Sequence, residues 1–213
     1  MDESGKGDFF GPLVVAAALA GPEESALFEE LYVRDSKKIS DKRILEIDVA
    51  LRERLVFSVA VLMPSEYNER YDEIRNLNIL LAEFHARAIV GALRAAKEKG
   101  LTADRAVSDR FGRTERLETA LARVRCGLDV QQLVRGEVVP QVAAASIMAR
   151  AEFLRRLRSL SEEFGIEIPK GAAPQVDRVG RVLVGRHGPE VLGRVAKTHF
   201  KNYHRAMSGD LFT

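Results

Sequence analysis

The chain opens with acids and a glycine-flanked lysine, residue types that can hold a metal ion beside a phosphate. Carboxylate oxygens are the ligands that hard cations such as Mg²⁺ and Mn²⁺ prefer. Glycines let a ligand approach the backbone closely and leave amide groups available to phosphate. The pattern predicts metal-dependent phosphodiester chemistry. The residues concerned are Asp2, Glu3, Ser4, Gly5, Lys6 and Gly7.

Two further acids are candidates because two-metal cleavage needs carboxylates from separate parts of the chain. Asp109 follows a short strand candidate, residues 105–108, and α/β sheets place their ligands at the carboxyl ends of strands. The alternative for Asp109 is that it caps the following turn. Glu137 lies in a loop before Pro140 and, taken alone, is an ordinary loop glutamate. Other acidic pairs, such as Glu23-Glu24, are expected at solvated positions.

Charge alone does not predict nucleic-acid binding. The net charge is only +2 and 30% of the residues are charged, so any basic surface must be local. One such segment is residues 191–209, which contain no acid but include Lys197, His199 and Lys201. This segment is either a solvated helix face or, beside a metal site, a phosphate-binding surface.

Elements that could position these residues alternate between strand and helix patterns. Buried strands are predicted at residues 12–20 and 55–63, and shorter strands at 105–108 and 127–134. Helices are predicted at 41–54 with Ser40 as N-cap, 78–99, 114–124 and 142–164, with shorter pieces near 175–184 and 189–196. The Ala-rich start of the helix over 142–164 predicts close packing against another backbone. The order of elements predicts an α/β sheet with helices on its faces.

Cysteine content and hydropathy indicate the compartment in which the protein is expected. The single cysteine, Cys126, excludes an intrachain disulfide and fits a reducing compartment. No apolar run is long enough to span a bilayer, and the chain does not open with a signal peptide pattern. We therefore expect a soluble, cytoplasmic protein that does not associate with a membrane.

Taken together, these segments resemble the type 2 and type 3 ribonucleases H, and most closely the type 3 enzymes. Ser4 and Lys6 are as in type 3, whereas type 2 enzymes usually have Ala and Arg there. The resemblance covers nearly the whole chain. The matching residues are 2–12, 35–38, 67–68, 76–86, Asp109, 143–146 and 196–200.

The resemblance implies a ribonuclease H-like α/β fold, with a mixed five-stranded sheet flanked by helices and a helical C-terminal extension, in one domain over residues 1–213. It implies endonucleolytic cleavage of the RNA strand of RNA–DNA hybrids with two Mg²⁺ or Mn²⁺ ions, leaving a 5′-phosphate and a 3′-hydroxyl. No obligate protein partner is expected. The implied metal-binding and catalytic carboxylates are Asp2, Glu3, Asp109 and Glu137. The expected substrate contacts are Ser4, Gly5, Lys6, Gly7, Lys37, Lys197, His199 and Lys201.

The sequence departs from the family pattern in three places. Glu137 lies one residue closer to Pro140 than the family's fourth carboxylate. No segment could encode the N-terminal substrate-binding domain, similar to the TATA-binding protein, that type 3 enzymes usually carry. Only Met1 precedes Asp2, although Asp2 is expected on a central strand, so we expect a chain beginning at Met1 to be unstable or weakly active. Two alternatives remain open: incision at single ribonucleotides in duplex DNA, and hybrid binding without cleavage.

Overall fold

The computed structural model describes residues 1–33, 36 and 39–208, without the side chain of Glu137. The residues form two compact units. The first unit comprises Met1–Ser4, Val14–Ala60 and Asn76–Glu152. The second unit comprises Gly5–Leu13, Val61–Arg75 and Phe153–Thr213, of which the residues up to 208 are described. The expectation of a single domain stays a prediction.

Five short strands form the described sheets. They are β1 (Asp2–Ser4), β2 (Leu13–Leu19), β3 (Val56–Leu62), β4 (Arg105–Asp109) and β5 (Asp129–Leu133). β1, β2 and β3 form one sheet in that order, and β1 pairs antiparallel with β2 so that Asp2 lies opposite Ala16. β4 and β5 form a parallel pair. The predicted mixed α/β fold with five strands is confirmed, but the ladders are divided between two sheets.

The start of β1 connects the two sheets. The ammonium group of Met1 is buried and donates to the carbonyl oxygen of Val107 in β4 at 2.8 Å. In the described ladders β1 is an edge strand that pairs with β2, and the Met1 ammonium links its start to β4 by one hydrogen bond, so the expected central position is not seen in the strand order. This hydrogen bond places Asp2 beside the strand that ends at Asp109.

The described part of the chain contains nine α-helices. Predicted helices at 41–54, 78–99, 114–124, 142–164 and 175–184 are confirmed within a few residues, while α1, α3 and α9 were not predicted. The helices are α1 (Ser25–Glu30), α2 (Asp41–Arg54), α3 (Pro64–Ile74), α4 (Leu77–Glu98), α5 (Thr114–Arg123), α6 (Pro140–Phe164), α7 (Gln175–His187), α8 (Val191–Val195) and α9 (Lys201–Met207).

Side-chain caps explain where two of these helices begin. The hydroxyl of Ser40 accepts the backbone N–H of Arg43 at 3.3 Å, so α2 begins at the predicted residue. The side chain of Asn76 accepts the N–H of Asn78 at 3.1 Å. Because Asn76 is the N-cap, α4 begins one residue earlier than the apolar pattern predicts.

The first unit has its core around β2 and the facing helices. Val14, Val15 and Ala16 are fully buried, as expected for a strand covered on both faces. In α6, Ala144 and Ala145 are also fully buried, which agrees with the close packing predicted for its start.

The second unit includes the helical C-terminal extension that the family resemblance implied. α7 and α9 approach each other closely at Gly180, where an added Cβ would lie 2.7 Å from the Cβ of Ala206. The amide of Asn202 in α9 donates to the buried carboxylate of Asp177 in α7 at 2.6 Å. Among the helices described, none is long and apolar enough to cross a membrane.

Candidate active site

The acid pair at the start of the chain lies on β1, and each acid contacts a different helix. The Asp2 carboxylate interacts with the hydroxyl of Ser146 in α6. The Glu3 carboxylate contacts His85 in α4, with 3.1 Å between Nε2 and Oε2. α6 therefore fixes one acid of the pair and α4 the other.

Partial burial raises the free energy of the charged form of these acids. Burial and then repulsion from Glu3 raise the pKa of Asp2 to about 6, although hydrogen bonds from Ser146 and from the backbone N–H of Glu3, at 2.8 Å, oppose the rise. Burial also lowers the pKa of the Met1 ammonium to about 6, although both carboxylates raise it. A divalent cation is the kind of group that stabilises two neighbouring buried carboxylates.

His85 in α4 is a polar side chain that touches the acid pair. It is fully buried, and its ring stacks on Phe111 with 4.4 Å between centroids and 11° between planes. Because an ionised carboxylate only accepts hydrogen bonds, Nε2 carries the proton donated to Glu3. His85 thus orients the Glu3 carboxylate and also contacts the residue two positions beyond Asp109.

Asp109 ends β4 and is held by the turn that carries Glu137. Its Oδ1 accepts the N–H of Gly136 at 2.9 Å. A Cβ at Gly136 would lie 2.7 Å from the Cα of Asp109 and 2.9 Å from the carbonyl oxygen of Ser108, so only glycine fits there. The 3₁₀ turn Gly136–Val138 therefore places the backbone of Glu137 next to Asp109.

Metal coordination by all four acids stays a prediction. Within residues 1–33, 36 and 39–208, no group of three or more His, Cys, Asp or Glu side chains is placed to hold a metal ion. The side chain of Glu137 lies outside the described part. The structure brings Asp2 and Glu3 close to the end of β4. The Met1 ammonium bonds to Val107 of β4, and His85 contacts both Glu3 and Phe111.

The predicted substrate turn begins the second unit. The N–H of Asp8 donates to the carbonyl oxygen of Gly5 at 3.3 Å, which closes a turn with Lys6 and Gly7 at its centre. Gly5 has φ +87°, and a Cβ there would lie only 2.0 Å from the carbonyl oxygen of Pro12, so glycine is required. A Cβ at Gly7 would meet nothing within 4 Å, so this glycine is exposed on an open side of the turn.

Lys197 does not match its predicted role as a phosphate contact. It is completely buried, and Nζ donates to the carbonyl oxygens of Asp8 at 2.8 Å and Gly11 at 2.7 Å. Its Nζ also lies 5.6 Å from the centroid of the Tyr67 ring. Burial lowers the pKa of Lys197 to about 7, although Asp8 raises it. The sequence could not reveal this burial, because the partners are near the other end of the chain.

The remaining predicted substrate residues differ in exposure. His199 is half-buried and stacks on Tyr71, with 4.1 Å between ring centroids. Burial, and then the charge of Lys197, lower the pKa of His199, while Asp72 raises it. Lys201 is exposed at the first position of α9, where a phosphate could reach it. Lys37 lies outside the described residues.

Two supporting serines were not predicted from the sequence. The hydroxyl oxygens of Ser36 and Ser146 are 2.8 Å apart, and Ser146 also interacts with Asp2. Both serines lie in segments that match the family pattern, 35–38 and 143–146, but the Ala-rich start of α6 predicts only packing and gives Ser146 no role. The pairing with Ser36 joins residues 110 positions apart, so spacing could not indicate it.

Comparison with known proteins identifies the family of this chain. Residues 1–203 match the family model described as Ribonuclease HII. Ribonuclease HIII of Chlamydia felis is 42% identical over 208 residues, covering 96% of this chain and 67% of that protein. Ribonuclease HIII of Chlamydia pneumoniae is 39% identical over 213 residues, covering 98% of this chain and 70% of that protein.

Solved structures give the same result. The crystal structure of Bst-RNase HIII in complex with Mn²⁺ matches with a TM-score of 0.90 and 33% identity, covering 96% of this chain and 67% of that one. The chain thus spans about two thirds of the length of these relatives. Because the family match covers nearly all of the sequence and the curated relatives exceed 30% identity, the chain belongs to the ribonuclease HII family.

Proposed function

We propose that this chain hydrolyses the RNA strand of RNA–DNA hybrids at a two-cation centre held by Asp2, Glu3, Asp109 and Glu137. Membership in the family makes the chain an endoribonuclease of the ribonuclease H class. The named carboxylates are the proposal. The observation that supports it most is the part-buried Asp2–Glu3 pair, in which burial and then the charge of Glu3 raise the pKa of Asp2 beside the strand that ends at Asp109.

The donor set fits Mg²⁺ or Mn²⁺, because these ions prefer carboxylate oxygens, and a relative has been crystallised with Mn²⁺. When bound, two such ions activate a water as the nucleophile and stabilise the leaving 3′ oxygen.

The protein's own groups orient the ligands. The imidazole N–H of His85 fixes the Glu3 carboxylate, and the backbone N–H of Gly136 fixes Asp109. The hydroxyl of Ser146 interacts with Asp2 and helps to keep this buried acid ionised. In this proposal these protein groups position the carboxylate oxygens and do not transfer protons themselves.

RNA recognition is assigned to the turn that follows β1. Gly5 is two residues from Glu3, so chain geometry alone keeps their Cα atoms within about 7 Å. Ser4, the turn amides and Lys6 are proposed to contact the 2′-hydroxyl and the adjacent phosphate, because the 2′-hydroxyl distinguishes RNA from DNA. His199 and Lys201 are proposed as further substrate contacts, as is Lys37. A single catalytic domain over residues 1–213 is part of the proposal. A cytoplasmic location is also proposed, which the free Cys126 fits.

Asp109→Asn tests this proposal. It replaces a ligand oxygen with an amide and is expected to lower the cleavage rate of an RNA–DNA hybrid with Mn²⁺ by at least about 10³-fold. The matched control is Asp104→Asn, at an exposed position just before β4, which should cleave at the normal rate. Equal rates for both variants would contradict the assignment.

A second substrate separates the alternatives. A DNA duplex that contains one ribonucleotide should be cut more slowly than the hybrid, because Ser4 and Lys6 and the curated relatives favour the type 3 activity. Preferential incision of that duplex would favour the type 2 activity instead. Hybrid binding by the wild-type chain without metal-dependent cleavage would indicate a binding protein.

A further inference from the structure

The loop from Gly5 to Pro12, called the opening loop below, is fixed at its carboxyl half by the segment before α9. The backbone N–H of Lys197 donates to the carbonyl oxygen of Phe9 at 2.9 Å, and the N–H of Gly11 donates to that of Val195 at 2.9 Å. Both bonds lie within the second unit. These two bonds form a short ladder with the opening loop. The carbonyl oxygens of Asp8 and Gly11 take no part in it.

The side chain of Lys197 completes this attachment. Its ammonium group donates to the carbonyl oxygens of Asp8 and Gly11, the residues on either side of the Phe9–Phe10 pair. The ammonium has no exposed surface and lies over the ring of Tyr67. Burying a lysine is unfavourable unless its charge is satisfied, so this position needs a specific reason.

The reason lies in where the two carbonyls sit in the loop. Asp8 is the last residue of the turn closed by Gly5, with Lys6 and Gly7 at its centre. The Asp8 carboxylate is also fixed, because Oδ1 accepts the N–H of Gly171 at 2.6 Å. Lys197 therefore fixes the backbone at the point where the turn ends. Without an ammonium, two inward-facing carbonyls would lose their donors.

We infer that Lys197 is a positioning residue that sets the Lys6–Gly7 turn for binding of the RNA strand. This inference rests on the proposed function. Lys197 makes no contact with substrate in this account and acts through the backbone of the opening loop. Its removal is therefore expected to weaken hybrid binding more than it slows the chemical step.

Steady-state cleavage of a hybrid by Lys197→Met tests the inference. Methionine keeps the buried aliphatic stem but removes the donors, so KM should rise about tenfold while kcat changes by less than about threefold. Lys197→Gln retains an N–H donor one bond nearer the backbone and should recover part of the loss. The matched control is Leu183→Ala, at a fully buried position of α7 in the same unit, which should lower the melting temperature and leave KM unchanged.

Hydrogen exchange provides a readout that does not depend on activity. In Lys197→Met, the amides of Lys6, Gly7 and Asp8 should exchange faster, whereas those of α7 should not. Unchanged KM and unchanged exchange in the turn, with only a lower melting temperature, would overturn the inference. Failure of the wild-type chain to cleave any hybrid would instead count against the proposed function, since the Lys197 comparison starts from an active protein.

Discussion

The acid pair and the opening loop are only a few residues apart, yet the protein holds them in opposite ways. Asp2 and Glu3 are neighbouring, part-buried like charges, and burial and then the charge of Glu3 raise the pKa of Asp2. The opening loop is instead held by neutral carbonyls that meet backbone N–H groups and one buried ammonium. The like charges of the acid pair therefore destabilise the folded protein, and a cation would remove this effect. The carbonyl groups of the loop, in contrast, already have hydrogen-bond donors. Under the proposed function, the first region would hold cations and the second would bind the RNA strand.

Gly136→Ala should disrupt the acid region most strongly without altering any acid. The new Cβ would lie within 2.9 Å of three backbone atoms of Ser108 and Asp109, so the turn must move away and the bond to Asp109 is lost. We expect cleavage to fall about 100-fold, because a displaced ligand loses much of its catalytic effect. Gly127→Ala is the control, since a Cβ there meets nothing within 4 Å. Similar activity in both variants would show that the turn does not position Asp109.

His85→Phe tests how the first region orients its ligands. Phenylalanine can keep the stacking on Phe111 but cannot donate to Glu3. Loss of such a supporting partner typically weakens metal affinity about 10- to 100-fold, so Mn²⁺ titration should show a shift of that size. His187→Phe, at an exposed position in α7, should bind Mn²⁺ normally. If the two variants do not differ, His85 is only a packing residue.

Much of this fold could be predicted because its signals are local. β2 and β3 are short apolar runs, and Ser40 caps α2 where the sequence indicated. α3 was missed because only Pro64 and Tyr67 of its residues are buried, which leaves no apolar periodicity to detect.

The site was harder to predict where contacts join distant residues. Asp2, Glu3 and Asp109 could be proposed from motifs, and their neighbouring strands support the proposal. Lys197 and Lys201 have the same side chain, yet one is fully buried and the other exposed. The difference arises because Lys197 meets Gly11, 186 residues away, and no local pattern carries that information.

The pH dependence of stability should also separate the two regions, with a smaller effect. In the metal-free protein, Asp2 keeps its proton up to about pH 6, whereas in the unfolded chain it loses it near the ordinary value of 3.8. The folded state binds more protons between these values, so its stability falls as the pH rises from about 4 to 6. The loss from this group is at most about 3 kcal/mol.

Thermal melting with EDTA checks this dependence. Asp2→Asn should melt with a flatter pH profile than the wild-type chain over that range, because it has no carboxyl to ionise. Asp104→Asn, exposed and outside the acid pair, should follow the wild-type profile. Identical profiles for wild type and Asp2→Asn would mean that Asp2 ionises at its ordinary pKa.

The most direct test is calorimetric titration of Mn²⁺ into the wild-type chain and into Asp109→Asn, without substrate. If acids from β1 and β4 share the cations, the substitution should weaken binding at least about tenfold, with no change in the fold measured by circular dichroism. Equal Mn²⁺ affinity in the two proteins would contradict the account, because Asp109 would then lie outside the cation centre.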